Sequence, residues 1–149
     1  MINTDDSGKF NILSVGPTDR HQSALAEMLC RTGRATLPKL EFCRDLEAAL
    51  PDLRKGVVPV VLCDSDTQPL AWRDLLDQVH RLPDPPYVIV TSRLADDRFW
   101  SEALNLGAYD VLAKPFEESE VSRVVTIAWL RWAALRGIPA GEENELALP

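Results

Sequence analysis

The sequence predicts a single α/β domain in which helices cover both faces of a parallel β-sheet. Five short runs rich in Val, Ile and Leu alternate along the chain with five amphipathic segments. Continuous apolar strands of this kind are typical of parallel sheets that are buried on both faces. The chain has 149 residues, 46% of them apolar, which is the size and composition of one globular domain.

The predicted strands are short apolar runs, each followed by polar residues or by a turn signal. They cover residues 10–15, 39–43, 57–63, 87–91 and 109–113. The third strand is the most strongly β-like because it is rich in valine, a β-branched residue that fits a pleated surface. The order of strands and helices is therefore βα repeated five times.

The predicted helices cover residues 19–31, 45–50, 70–81, 96–106 and 118–136. Asp19 and Asp45 are placed to cap the first two helices, and Asp19 forms a possible capping pair with Gln22. We expect Pro51 to end or bend the second helix because proline lacks the N–H donor. Gly107 is expected to end the fourth helix.

Charge and composition exclude several classes of function. The net charge of −7 and the pI near 4.8 argue against binding to nucleic acid or to anionic membranes. We find no apolar run of about 20 residues that could span a membrane, and the polar start of the chain argues against a signal peptide. Three cysteines without C-x-x-C spacing predict buried, reduced thiols in a cytoplasmic protein.

The domain is expected to occupy residues 10–136. Residues 1–9 are predicted to be a flexible N-terminus, because they are polar and acidic. Residues 137–149 contain Pro, Gly and three Glu, which predicts a mobile acidic tail.

Polar side chains follow three of the predicted strands and point to a single crevice. Asp64 follows the third strand, Thr91 and Ser92 end the fourth, and Lys114 follows the fifth. The carboxyl ends of parallel strands meet at one edge of the sheet, where ligands bind. A carboxylate can accept a phosphoryl group as an acyl phosphate. An ammonium and a hydroxyl can then hold the phosphate oxygens.

These runs resemble the receiver domains of two-component response regulators. The resemblance covers residues 10–135 and is carried by V-V-L-C-D at 60–64, V-I-V-T-S at 88–92 and A-L-N-L-G-A-Y-D-V-L-A-K-P-F at 103–116. It implies a flavodoxin-like, doubly wound fold with a five-stranded sheet and an extended C-terminal helix. It also implies a sensor histidine kinase or a phosphotransfer protein as partner, and no enzymatic activity beyond accepting a phosphoryl group.

The resemblance assigns roles to individual residues. Asp64 is the expected phosphoacceptor and Lys114 the site lysine. Thr91 and Tyr109 are the expected switch hydroxyl and switch aromatic residue, and the peptide bond from Lys114 to Pro115 is expected to be cis, a state found almost only before proline.

One departure from the family bears on the metal. The family carries an acidic pair after the first strand, which binds Mg²⁺, and this chain has Gly16 and Pro17 there. Mg²⁺ is held by oxygen ligands, usually carboxylates, so we expect weak binding with Asp64 and Asp66 as the remaining ligands. Asp66 could instead face solvent. After the acceptor, Trp72 stands where the family has glycine, and it could pack over the crevice or cover the sheet.

The last helix carries two apolar stripes. The inner one, expected to cover the sheet, comprises Val121, Val124, Val125, Ala128, Trp132 and Leu135. A second stripe of Ile127, Leu130 and Ala134 lies on the opposite side. Because an isolated domain gains nothing from exposing such a stripe, we expect a homodimer or a partner helix there. Scattered exposed apolar residues are the alternative.

The sequence therefore predicts a stand-alone, atypical receiver domain with Asp64 as a potential phosphoacceptor and with weakened Mg²⁺-dependent phosphorylation. The alternative is an interaction module that works without phosphorylation, in which Asp64 and Lys114 form a structural ion pair. An enzyme on the same architecture is disfavoured, because the chain has neither a dinucleotide-binding or P-loop glycine motif nor a nucleophile elbow.

Overall fold

The computed structural model describes residues 11–17, 19–31, 39–55, 58–66 and 71–138. The predicted flexible N-terminus and most of the predicted acidic tail lie outside the described residues. The same holds for Phe10, Val57 and Leu70, the residues at which two predicted strands and one predicted helix begin.

The described residues form five strands and five helices in strict alternation. The strands are β1 (Asn11–Val15), β2 (Lys39–Cys43), β3 (Val60–Asp64), β4 (Tyr87–Ser92) and β5 (Asp110–Ala113). The helices are α1 (Arg20–Arg31), α2 (Leu46–Arg54), α3 (Ala71–Val79), α4 (Asp97–Asn105) and α5 (Glu118–Leu135). The sheet is parallel with order β2-β1-β3-β4-β5. This confirms the predicted flavodoxin-like fold and places the switch in strand order between β1 and β3.

Two apolar layers enclose the sheet, one on each face, which explains why its strands are apolar throughout. On β1, Leu13 and Val15 pack on the side of α2, α3 and α4, whereas Ile12 packs on the side of α1 and α5. The same alternation continues along β3, as expected from the two-residue period of a strand. Trp72 is buried in the first layer, so the core-packing alternative for this residue is confirmed.

The helix caps follow the sequence expectations, whereas α3 ends at Val79 rather than Arg81 and α2 continues past Pro51. The Asp45 carboxylate caps α2 by accepting the Ala48 N–H at 3.0 Å, and Asp96 caps α4 in the same way. Pro51, which we expected to end or bend α2, lies inside a helix that continues to Arg54. Proline removes one hydrogen bond, and the burial of Leu53 in the core favours continuing the helix.

The C-terminal half of α5 departs from the predicted stripe. Leu135 was expected on the inner face, but 70% of it is exposed, and the inner face ends with Trp129, Trp132 and Ala133. Trp132 donates from Nε1 to the Pro85 carbonyl at 3.3 Å, and its ring is covered by the Arg136 guanidinium. These contacts close the end of the core without Leu135.

Of the three cysteines, only Cys63 is buried, whereas Cys30 is exposed. The expectation of buried thiols is therefore wrong for Cys30, which lies on the outer face of α1. No helix in the described part of the chain combines the length and the apolar character that crossing a membrane requires.

Candidate functional site

The structure brings the three polar strand ends together. Asp64 is paired with Thr91 in the β3–β4 register, and the Lys114 backbone N–H donates to the Ser92 carbonyl at 2.9 Å. Asp64, Thr91 and Lys114 therefore line one crevice, as predicted from the strand order. The peptide bond between Lys114 and Pro115 is cis, as the resemblance implies.

Lys114 is the electrostatic centre of this crevice. Its ammonium contacts the Asp64 carboxylate closely and lies 3.0 Å from Oδ2 of Asp66. The side chain is only 5% exposed. Burial acts to lower the pKa of Lys114, but the hydrogen bonds and charges of Asp64 and Asp66 outweigh it and raise the pKa above its ordinary value. Lys114 therefore stays charged and holds two carboxylates at once.

Asp66 does not point into open solvent, because its side chain is only 15% exposed. Besides Lys114, its carboxylate accepts the Arg93 backbone N–H at 3.1–3.2 Å and lies 3.7 Å from Arg93 Nε. The Asp66 N–H in turn donates to Asp64 Oδ2 at 3.2 Å. The loops after β3, β4 and β5 are thus connected through one carboxylate.

The β1 side of the crevice is closely packed around Gly16, and the Asp19 carboxylate that lines it is engaged in capping α1. A Cβ on Gly16 would lie 2.8 Å from the Asp64 Cβ and 3.2 Å from the Gln22 amide nitrogen. At this carbon–carbon distance a neighbouring atom would have to shift. Gly16 therefore lets the backbone after β1 lie directly against Asp64.

Gln22 has a different role from the one we predicted. Asp19 does cap α1, accepting the backbone N–H groups of His21 and Gln22 at 3.0 Å. The Gln22 side chain, however, does not complete a capping pair. Its Oε1 accepts the buried Ser14 hydroxyl at 2.5 Å, so α1 is fastened to β1 beside the crevice.

Sequence reasoning missed Ser14, Gln22 and Arg93 as site residues. Two of them carried a signal that could have been used. Ser14 is a hydroxyl within an apolar strand, and Gln22 occupies an inner position of α1, three residues before Leu25. Arg93 had no such signal, since its contribution is mainly a backbone N–H.

His21 lies at the rim of the crevice, with its ring against the edge of Phe116 at 6.2 Å between centroids. His21 belongs to the first turn of α1 and borders the crevice.

The residues of this crevice do not fit Mg²⁺. The ion requires six oxygen ligands in near-octahedral geometry, whereas both carboxylates at the centre are already engaged by Lys114. The cavity lined by Asp64, Thr91 and Lys114 has a volume of about 10 Å³, enough for about one water molecule. Among the described residues, no group of three or more His, Cys, Asp or Glu side chains is arranged to hold a metal.

Tyr109 lies apart from the crevice. Its ring stacks on Tyr87 at 4.6 Å, with the Arg131 guanidinium 6.0 Å from the ring centroid. Its N–H donates to the carbonyl of Val88, near the start of β4, whereas Thr91 is near the end of that strand. The structure therefore does not bring Tyr109 to Thr91, because the two residues lie at different levels of the sheet.

The predicted interface stripe on α5 is only partly exposed. Ile127 is 40% exposed and Ala134 is exposed as well. Leu130 is half-buried and packs against the core layer formed with α1. The described surface thus presents two of the three predicted residues to solvent.

Comparisons with known proteins agree with this geometry. Residues 16–126 match the profile of the family described as the response regulator receiver domain. A search of curated proteins gave no match.

Several solved structures share the fold. The receiver domain of an HD domain-containing protein from Pseudomonas fluorescens is 24% identical with a TM-score of 0.72, and the match covers 87% of this chain and 93% of that one. A receiver domain protein from Clostridium thermocellum is 19% identical with a TM-score of 0.70, covering 85% and 98%. A Francisella receiver domain is 21% identical with a TM-score of 0.69, covering 83% and 98%.

Proposed function

We propose that this chain, which belongs to the response regulator receiver domain family, accepts a phosphoryl group on Asp64 slowly and with little help from Mg²⁺. Family membership makes the chain a receiver domain of two-component signalling. Receiver domains are in general phosphoryl acceptors rather than enzymes, and they typically bind Mg²⁺ at an acidic pocket. The proposal concerns how this particular crevice departs from that pattern.

The observation that carries the proposal is the position of Lys114 between Asp64 and Asp66. In the proposed step, a carboxylate oxygen of Asp64 attacks the phosphorus of a phosphodonor. A P–O bond forms to Asp64, and the bond from phosphorus to the donor's carboxylate or imidazole breaks. The Lys114 ammonium then compensates the added negative charge, and the Thr91 hydroxyl donates to a phosphate oxygen.

The slowness of this step follows from the β1 side. An anionic acceptor and an anionic donor repel each other, and a metal ion ordinarily offsets that repulsion. Here Gly16 and Pro17 offer no carboxylate, and Asp66 is engaged by Lys114 and Arg93. Lys114 is thus the cation within the crevice that is placed to offset the repulsion at Asp64.

The proposed partners are those of a receiver domain. A sensor histidine kinase or a phosphotransfer protein would supply the phosphoryl group, and the cytoplasm is the expected setting. The exposed positions Ile127 and Ala134 on α5, with Leu130 between them, support the proposal of a homodimer through the last helix. We propose no role in binding nucleic acid or membranes, given the net charge of −7.

A second candidate is an interaction module that works without phosphorylation. It is favoured by the same ion pairs, because Lys114 already has two anionic partners in the absence of a phosphoryl group. In that case an Asp64→Asn variant would bind its partner as well as the wild-type chain does.

Intact-mass measurement after incubation with acetyl phosphate tests the proposal. We expect a slow gain of one phosphoryl group that changes little when Mg²⁺ is added and that is absent in the Asp64→Asn variant. Strong Mg²⁺ dependence would contradict the weakened metal site. A folded protein that forms no adduct under any condition would favour the interaction module.

A further inference from the structure

Asp66 connects three loops that belong to three different strands. Its carboxylate lies 3.0 Å from the Lys114 ammonium, which follows β5. It also accepts the Arg93 backbone N–H, which follows β4. Asp66 itself follows β3, and its own N–H donates to Asp64.

The contacts of Asp66 are those that an anion attached to Asp64 would require. A phosphoryl group carries negative charge on oxygens that need an ammonium and N–H donors around them. The Lys114 ammonium and the Arg93 N–H are donors of these two kinds, and both are already bonded to the Asp66 carboxylate. The hydrogen bond from the Asp66 N–H to Asp64 Oδ2 at 3.2 Å keeps this carboxylate next to the proposed acceptor.

We propose that Asp66 is the resident anion of the crevice, holding Lys114 and the Arg93 N–H in place of a phosphoryl group. The carboxylate keeps the loop between β4 and α4 in one position without phosphorylation. It also competes with an incoming phosphoryl group for Lys114. The second consequence rests on the proposed role of Asp64 as acceptor, whereas the first does not.

Two roles of Asp66 predict opposite effects of its removal. If Asp66 were a ligand of Mg²⁺, replacing it would remove a metal ligand and slow phosphorylation. If Asp66 is the resident anion, replacing it frees Lys114 and speeds phosphorylation. The sign of the change in rate therefore distinguishes the two roles.

The first test is amide hydrogen exchange at Arg93, measured by NMR without any phosphodonor. The variant Asp66→Ala removes the acceptor of the Arg93 N–H, and we expect exchange at that amide to become at least about tenfold faster. The Ala48 amide, which is bonded to Asp45 at 3.0 Å, should not change. Unchanged exchange at Arg93 would overturn the proposal.

The second test is the rate of adduct formation from acetyl phosphate. We expect Asp66→Asn, which keeps the shape but loses the charge, to be phosphorylated several-fold faster than wild type. The matched control is Asp74→Asn, which makes the same change of charge at an exposed position of α3 and should leave the rate unchanged.

The outcomes separate this proposal from the one on which it rests. An unchanged or slower rate in Asp66→Asn would overturn the competition for Lys114. If neither wild type nor variant forms an adduct, the role of Asp64 as acceptor fails. The exchange at Arg93 then still decides whether Asp66 fixes the loop.

Discussion

The two sides of the crevice are built on different principles. On the β3–β5 side, Lys114 joins Asp64 and Asp66 in a nearly buried group of charges. On the β1 side, a glycine backbone lies against Asp64, and a neutral hydrogen bond joins Ser14 to Gln22. The β3–β5 side holds carboxylates around an ammonium, whereas the β1 side is packed so closely that it leaves no room for a side chain at Gly16.

The charged groups and the close packing of this crevice therefore come from different parts of the sequence. Asp64, Thr91 and Lys114 line the crevice together, whereas Gly16 and Pro17 at the end of β1 carry no carboxylate. Because a Cβ on Gly16 would meet the Asp64 Cβ, placing a carboxylate at this position would require a neighbour to shift.

The largest effect is expected on the charged side, from Lys114→Met. This variant leaves two carboxylates of low exposure without their shared cation, and losing one partner of a buried ion pair costs about 3–5 kcal/mol. We expect a loss near the lower end, about 3 kcal/mol, because Asp66 keeps its contacts with Arg93. Urea denaturation measures the free energy of unfolding.

Two further variants control the Lys114 measurement. Lys55→Met removes an exposed lysine that pairs with Asp52, and the loss there should stay below about 1 kcal/mol. Combining Lys114→Met with Asp64→Asn removes one of the stranded charges and should recover part of the stability. A loss from Lys114→Met no larger than that from Lys55→Met would contradict the description of the charged side.

The next effect concerns the β1 side of the crevice and the variant Gly16→Asp. The new Cβ would meet the Asp64 Cβ at 2.8 Å, and forcing extra atoms into a packed site costs about 1–3 kcal/mol. Gly16→Ala is the matched variant, because it adds the Cβ without a charge. We expect both to lower the free energy of unfolding, and neither to make phosphorylation dependent on Mg²⁺. A stable Gly16→Asp protein with strong Mg²⁺ dependence would refute this view of the β1 side.

A smaller effect, near the lower end of its range, is expected from Gln22→Ala. It removes the acceptor of the Ser14 hydroxyl, which is buried at 2% exposure, and an unsatisfied buried donor costs about 1–3 kcal/mol. In a double-mutant cycle with Ser14→Ala, the two losses should not add, since either variant breaks the same bond. Simple additivity would show that the bond contributes nothing to stability.

The fold was predictable from the sequence because it depends on repeated local signals. Runs of apolar residues such as those of β3, and caps such as Asp45, report burial and helix starts directly. Pro51 and Leu135 were misjudged because the packing of Leu53 and of Trp132 decided their surroundings. The burial of Leu53 and of Trp132 cannot be inferred from the residue types of Pro51 and Leu135.

The candidate site was predictable only where it lies at strand ends. Asp64, Thr91 and Lys114 follow from the rule on parallel strands. The bridge made by Asp66 depends on a backbone N–H of Arg93, which every non-proline residue possesses. The position of Tyr109 depends on the β4–β5 register, which no residue pattern alone fixes.

The smallest expected effect is a pH dependence of the free energy of unfolding, which should differ between the Lys114 side and the β1 side of the crevice. The pKa of Lys114 is raised in the folded state, since the hydrogen bonds and charges of its two carboxylates outweigh its burial. The resulting stability is therefore fully present below the pKa of the unfolded lysine, about 10.4, and is lost as the pH rises through the higher folded value. The free-energy difference between wild type and Asp66→Asn should accordingly shrink above about pH 10.5. The difference between wild type and Gln22→Ala should stay constant over the same range, because the hydrogen bond between Ser14 and Gln22 carries no titrating group.

Urea denaturation of the three proteins at neutral and alkaline pH measures both differences, and the tyrosines and other lysines cancel because all three proteins contain them. If both differences declined in parallel, the ion pair of Lys114 and the hydrogen bond of Ser14 would respond alike to pH, which would contradict the description of the two sides.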